Sequence, residues 1–398
     1  MPIPDFVNLR HLHAIAEIAR QRSTRRAAGI IHLSQPALTQ ALAQMEATLG
    51  QRLFERTGSG MTPTPAALLL VEHIDRAFAW LTAAERLFPG GPPLHRLVTR
   101  IQLQALMAVV ESDSISVAAR KLDVRQPSVT RALRDLETIC GRQLVDRSPL
   151  GTEAGRDARE LARFAGLAFA EIQQGLDAFR ESHGQVDGRV VVGSLPLARS
   201  TLVPTAVTRL LERYPEVRLR IVDGPYAELL HELRSGHLDC IIGALRFPPP
   251  PDVRQEALFD DPLSLVVRPG HPLCGKSEVT PRDLATLDWV LPPAGVPTRK
   301  LFEAFIQSMG LEVPRHVIEC SSLVAVRGLL LRSDRATLLS LTQVGYEVEA
   351  GQLATLGAPL PRTARPIGLA LRADWRPTLA QGAFLDFFRQ AVAEGVAS

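Results

Sequence analysis

The chain is poor in cysteine and in lysine, and it has no apolar run long enough to cross a bilayer. Its four cysteines, Cys140, Cys240, Cys274 and Cys320, stand far apart with no C-x-x-C pair. That argues against a zinc site or a disulfide framework and fits a reducing, cytoplasmic setting. No stretch approaches the roughly 20 apolar residues a spanning helix needs, and the N-terminus lacks a basic-then-apolar leader. The expectation is a soluble protein that stays inside the cell. Catalytic signatures are missing too: there is no G-x-S-x-G, Walker loop or dinucleotide fingerprint. His11 and His13 are two apart on a helix, face differently and make a poor metal pair, and Asp260-Asp261 reads as a diverging, solvated pair at a strand entry. No enzyme, metal or cofactor is indicated.

Lysine is almost absent, at three positions, so nearly all positive charge is arginine. Arginine suits bidentate phosphate and guanine contacts, although biased base composition of a genome produces the same skew. The net charge of +3 is small, but residues 1–150 hold 18 Lys+Arg against 13 Asp+Glu and the remainder 27 against 29. The excess is N-terminal, which fits DNA docking by phosphate neutralisation, although a mild asymmetry is also common by chance. At 398 residues and 46% hydrophobic, the chain has room for two or three domains with real cores.

What the sequence does have is a repeat. Leu33-Ser34-Gln35-Pro36-Ala37-Leu38-Thr39-Gln40 returns 91 residues later as Val124-Arg125-Gln126-Pro127-Ser128-Val129-Thr130-Arg131. Ala27-Ala28 pairs with Ala118-Ala119, Gly50 with Gly141, Leu53 with Leu144 and Arg56 with Arg147. A Gln-Pro pair opening an i, i+3/i+4 apolar pattern starts a helix, since the proline lacks only an N–H that would be unpaired anyway. Leu38, Leu42 and Met45 form its buried stripe and turn short polar side chains outward, a face able to enter a major groove. The small Ala27-Ala28 pair on a preceding short helix permits the close approach of a helix-turn-helix.

Residues 8–67 thereby resemble the winged helix-turn-helix of the LysR-type transcriptional regulators. The motif residues are Ala27-Ala28, Ser34-Gln35-Pro36-Ala37-Leu38-Thr39, Leu49-Gly50, Leu53-Phe54-Glu55-Arg56 and Thr64-Pro65-Ala66-Ala67. The resemblance implies DNA contacts from Ser34, Gln35, Pro36, Ala37, Thr39, Gln40, Gln44 and Arg56 in copy one, and from Arg125, Gln126, Pro127, Ser128, Thr130, Arg131, Arg134 and Arg147 in copy two. Copy one reads as keeping a full wing behind an uncharged helix. Copy two is the more basic reader, with a wing about three residues shorter. One copy reduced to a dimerisation or packing module is the plainer alternative.

The expected domains are copy one at 1–64, linker helix and Pro/Gly breaker at 65–93, copy two at 94–152, a second linker helix at 153–187 and an α/β effector domain at 188–398. In the family the linker helix pairs two subunits as an antiparallel coiled pair, which implies a homodimer or homotetramer. From Gly188 short apolar strands alternate with helices, the pattern of a parallel α/β sheet. Leu202-Val203-Pro204, Tyr214-Pro215-Glu216-Val217 and Gly236-His237-Leu238-Asp239 resemble the family's effector domain. That implies a type 2 periplasmic-binding-protein-like fold with lobe I at 188–264 and 369–398 and lobe II at 265–368. Arg268-Pro269-Gly270-His271-Pro272-Leu273 and Trp289-Val290-Leu291-Pro292-Pro293 resemble the branch that includes regulators of sugar uptake and protocatechuate catabolism.

Effectors are expected between the lobes, at loops following strands, where helix N-termini favour anions. The candidates are Leu197, Arg199, Ser200, Gly224, Arg246, Gly295, Thr298, Ser321 and Ser322. Pro225 stands where relatives often carry Thr or Ser, removing a hydroxyl and a backbone donor. The implied partners are promoter DNA, a small polar effector such as a sugar or an aromatic-derived acid, and RNA polymerase. Two other readings stand beside this one: an architectural DNA binder with a ligand-blind C-terminal half, and an enzyme on a binding-protein-like fold.

Overall fold

The computed structural model describes residues 4, 6–58, 60–148, 151–276 and 278–396; of Arg147 the description extends to the backbone alone. The first unit runs α1 (Leu9–Gln21), α2 (Thr24–Ile30), α3 (Gln35–Leu49), β1 (Phe54–Thr57), β2 (Gly60–Pro63) and α4 (Pro65–Ala84). After a short α5 (Leu94–Leu97) come α6 (Arg100–Ser112), α7 (Ile115–Lys121), α8 (Gln126–Cys140), β3 (Val145–Ser148), β4 (Gly151–Ala154) and α9 (Arg156–Glu181). Every element from α6 to α9, α5 apart, begins 91 residues after its counterpart. Local devices recur at the same displacement: Ser23 and Ser114 cap α2 and α7, and Gly50 and Gly141 end α3 and α8 at φ 69° and 63°, where a side chain would be strained.

The second hairpin is therefore not short. β3 and β4 pair in the register of β1 and β2, Arg147 opposite Thr152 as Arg56 lies opposite Met61. The shortening expected from sequence came from taking Thr152 as a helix start, whereas Thr152 lies in strand β4 and Gly155 occupies the N-cap position of α9. Gly155 has no side chain to cap with, so the hydroxyl cap that Thr64 provides to α4 is missing at α9, and the signal for its start with it.

One continuous apolar core runs from Val7 to Phe179 through both units and both long helices. α4 and α9 pack against each other: the Trp80 and Phe164 rings are 6.1 Å apart, His73 Nδ1 is 2.8 Å from Glu171 Oε2 and Arg76 donates to Glu171 Oε1 at 2.8 Å. Pairing was expected between subunits; here the two linker helices pair within one chain. From Ala165 to Asp177 every residue of α9 is buried, because lobe I covers the side that α4 leaves open. A Cβ on Gly166 would come 2.3 Å from Ser235 O. Glu181 accepts from the N–H groups of Leu379 (2.8 Å) and Ala380 (3.1 Å), capping the C-terminal helix.

The C-terminal half comprises β5 (Arg189–Ser194), α10 (Leu202–Arg213), β6 (Arg218–Asp223), α11 (Tyr226–Arg234), β7 (Cys240–Ala244), β8 (Val253–Asp261), β9 (Leu263–Val267), α12 (Pro281–Ala285), β10 (Asp288–Leu291), α13 (Pro297–Ser308), β11 (Val317–Glu319), α14 (Leu323–Leu330), β12 (Arg335–Ser340), α15 (Leu341–Glu349), β13 (Ala354–Leu356), β14 (Arg365–Arg372) and α16 (Leu379–Val396). One sheet has the order β6-β5-β7-β14-β8 and the other β11-β10-β12-β9-β13. Both are mixed, β14 and β9 running antiparallel to their neighbours. The chain crosses between sheets at Pro262 and returns before Arg365, so the whole of β9 belongs to lobe II and all of β14 to lobe I. Apolar clusters cover both faces of each sheet, as the near-continuous hydrophobic strands require.

Candidate nucleic-acid interface and effector cleft

α3 buries Leu38, Ala41, Leu42 and Met45 and leaves Gln35, Pro36, Ala37, Thr39, Gln40 and Gln44 exposed, with Ser34 before it. The Ser34 hydroxyl accepts from Ala37 N at 3.3 Å, so it is partly committed to starting the helix. Thr39 donates back to Gln35 O at 2.9 Å; Gln40 and Gln44 are the long reaching groups. On α8 the exposed set is Gln126, Pro127, Ser128, Arg131 and Arg134, with Arg125 at the N-cap, while Thr130 is half-buried. Gln126 Oε1 accepts from Ser116 Oγ at 3.3 Å. Arg125, Arg131 and Arg134 form no ion pair among the described residues, leaving three arginines on one helix free for an external anion.

α3 and α8 each carry a carboxylate at the same position, Glu46 and Glu137. Glu46 Oε1 accepts from Leu53 N (2.7 Å) and Phe54 N (3.2 Å), and Glu137 Oε1 from Leu144 N (3.0 Å) and Val145 N (3.2 Å). These bonds fix where the hairpin leaves the helix and so where the wing can reach. Arg56 is exposed on β1. Their recurrence at identical places in both units was the available signal.

In the C-terminal half the expected residues divide. Ser200 Oγ donates to Gln343 O on α15 at 2.8 Å, and Thr298 accepts from Arg365 Nη1 at 2.5 Å; both join lobe I to lobe II. Arg199 donates to Ser194 O (3.0 and 2.9 Å) and lies 3.5 Å from Asp223, with burial lowering its pKa. Arg246 stacks 4.7 Å above the Tyr226 ring. Both arginines are thus held to lobe I. Leu197 is buried, Ser321, Ser322 and Gly295 are exposed and Gly224 is half-buried. Ser322 caps α14.

Asp261 departs from the solvated reading. It is 3% exposed, accepts from Ser340 and, at 3.2 Å, from Thr342, and pairs with Arg365 at 3.2 Å. Burial raises its pKa and the surrounding donors pull it down. Asp260 stays exposed, so the two do diverge. Asp261 sits one residue before the crossover, where both lobes supply donors, and local sequence cannot show that convergence.

The chain thus has a helical unit with a two-stranded hairpin that recurs after 91 residues, joined through two paired long helices to a C-terminal half built on two mixed sheets. The description "LysR substrate binding domain" matches residues 183–393, and "Bacterial regulatory helix-turn-helix protein, lysR family" matches both 9–68 and 101–156. The transcriptional regulator GalR of Pseudomonas putida is 33% identical over 393 residues, 98% of each chain. PcaQ of Agrobacterium fabrum is 30% identical over 299 residues, 73% of this chain and 94% of its own. CbnR bound to its target DNA shares the fold at 20% identity and TM-score 0.53, over 73% of this chain and 98% of that one. The chain belongs to the LysR family: it is a DNA-binding transcriptional regulator with an effector-binding domain. The GalR alignment runs almost end to end, while those with PcaQ and CbnR span nearly all of those proteins and leave about a quarter of this chain unmatched.

Proposed function

We propose that the two N-terminal units are duplicated winged helix-turn-helix domains, that both dock in the major groove of promoter DNA, and that a small polar effector held between the C-terminal lobes modulates this binding in the cytoplasm. The observation that carries the reading is the pair of uncovered helix faces at one displacement, with Gln40 opposite its counterpart Arg131, Gln44 added on α3 and Arg134 on α8. Arg125, Gln126, Pro127, Ser128 and Thr130 flank the second face as Ser34, Gln35, Pro36, Ala37 and Thr39 flank the first. Arg56 and Arg147 supply phosphate contacts from the wings. Higher assembly into a homodimer or homotetramer then uses surfaces other than the α4–α9 contact, and the assembly engages RNA polymerase.

For the effector, Ser200, Thr298, Ser321 and Ser322 offer hydroxyls and Arg199 and Arg246 offer charge, with Leu197, Gly224 and Gly295 shaping the loops. The names of GalR and PcaQ mark them as regulators without fixing this chain's ligand. A sugar or an aromatic-derived acid fits a hydroxyl-rich site. Gel-shift titration on the chain's own promoter region tests the DNA reading, with affinity falling steeply as salt rises; salt-independent or absent binding contradicts it. Thermal-shift screening of sugars against aromatic acids tests the effector reading, and no stabilisation by either class contradicts it. An unchanged affinity for a confirmed carboxylate ligand in Arg199→Ala removes that contact.

A further inference from the structure

We infer that one chain is a complete two-headed reader, its α4 and α9 paired about an internal pseudo-twofold axis so that a single chain spans both halves of a directional DNA element with unlike half-sites. This rests on the proposal that both heads dock on DNA. Two contacts establish the symmetry. His73 meets Glu171 and Trp80 meets Phe164; with the 91-residue displacement, Glu171 is the counterpart of Trp80 and Phe164 that of His73. When i touches the counterpart of j, and j the counterpart of i, the pair is related by a twofold. A groove of about 890 Å³ between the heads agrees, lined by residues 6–10 of one unit and by their counterparts 97–101 of the other.

The same register makes the helices antiparallel and separates the two points where the hairpins join them. It places Arg156, the start of α9, opposite Phe88, which is 23 positions beyond the start of α4 at Pro65. At 1.5 Å per residue this is about 35 Å, the scale of one duplex turn between half-sites.

The contacts also specify that unlike copies pair. Glu171 is 5% exposed and its two side-chain partners, the His73 imidazole and the Arg76 guanidinium, both come from α4. Pairing α9 with another α9 sets Glu171 against Phe164 and leaves a buried charge uncompensated; pairing α4 with another α4 brings two Arg76 guanidinium groups together at the axis. Both like pairings are disfavoured. The heads held this way differ in chemistry, glutamines suited to adenine on α3 and arginines suited to guanine on α8.

The test uses the full chain with Cys274→Ser and Cys320→Ser, adding Trp80→Cys and Phe164→Cys, a short bis-maleimide and a denaturing gel. The expected result is a cross-link within one chain when both cysteines share it, and none between chains when the two single variants are mixed. Cross-linked dimers from the mixture overturn the inference. As a check independent of the aromatic pair, Glu171→Arg lowers the melting temperature and Arg76→Glu in the same chain restores it; equal rescue by a second chain carrying Arg76→Glu overturns it as well. On DNA, Gln40→Ala weakens one half of the footprint and Arg131→Ala the other, whereas equal weakening of both halves by either change overturns the directional reading. Loss of all wild-type DNA binding with the cross-link still internal defeats the proposed DNA reading, and with it the directional element, and leaves the internal pairing standing.

Discussion

Trp80 packs ring to ring against Phe164 at 6.1 Å, and the counterparts of these residues, Glu171 and His73, meet at 2.8 Å. An aromatic contact on one side of the axis answers a polar one on the other, seven residues along each helix. The linker pair is therefore symmetric in backbone and asymmetric in chemistry, and its stability rests heavily on Glu171. Glu171→Ala takes the carboxylate away from half-buried His73 and Arg76 and leaves Arg76 only Asp374 O at 2.6 Å. The expected loss is about 3–5 kcal/mol, read as a lowered urea midpoint for unfolding; a change within 0.5 kcal/mol contradicts the assignment.

Gly166 sets how closely the linker lies on lobe I. A Cβ there would sit 2.3 Å from Ser235 O, a backbone atom that cannot swing aside. Gly166→Ala is expected to cost roughly 1–3 kcal/mol and to weaken the response of DNA binding to effector, followed by thermal melting and by gel shift with and without ligand. An unchanged melt sinks the close-contact argument.

Cys140 closes α8 in a buried position, and burial raises its thiol from 9.0 to about 12. It should resist alkylation at pH 8 while exposed Cys274 reacts, as mass spectrometry of labelled peptides would show. A raised folded-state pKa gives stability that is complete below about pH 9 and lost as pH climbs toward 12. Cys140→Ala should therefore flatten that alkaline loss, and an unaltered alkaline limb of the melting curve counts against it.

Much of the DNA-binding half is legible in sequence because its signals are local. Ser23, Pro36, Gly50 and the Leu38/Leu42/Met45 stripe each act within a turn or two, so the helices fall where the pattern puts them. The start of α9 is not legible, because Gly155 offers no side-chain cap and Thr152, a strand residue, resembles one. The pairing of His73 with Glu171 spans 98 residues, and the meeting of Asp261 with Ser340, Thr342 and Arg365 spans as many as 104. Neither leaves a periodicity to read. For the effector loops, sequence named Ser200 and Thr298 and missed their partners Gln343 and Arg365, which come from distant segments of the chain.

Base reading should divide between the heads. Arg131→Ala is expected to relax discrimination at a guanine in one half-site, and Gln40→Ala at an adenine in the other, each by about 1–3 kcal/mol or roughly 5- to 150-fold. Competition gel shifts with single-base-substituted duplexes measure both. Equal discrimination by variant and wild type removes that side chain from the reading face.

Hydroxyl-radical footprinting of the full chain on its own promoter region, wild type beside Arg131→Ala, tests the two-headed reading most directly. The account predicts protection of two unlike half-sites about one duplex turn apart, with Arg131→Ala losing protection over one of them and keeping the other. Protection of a single half-site that Arg131→Ala leaves intact would contradict it.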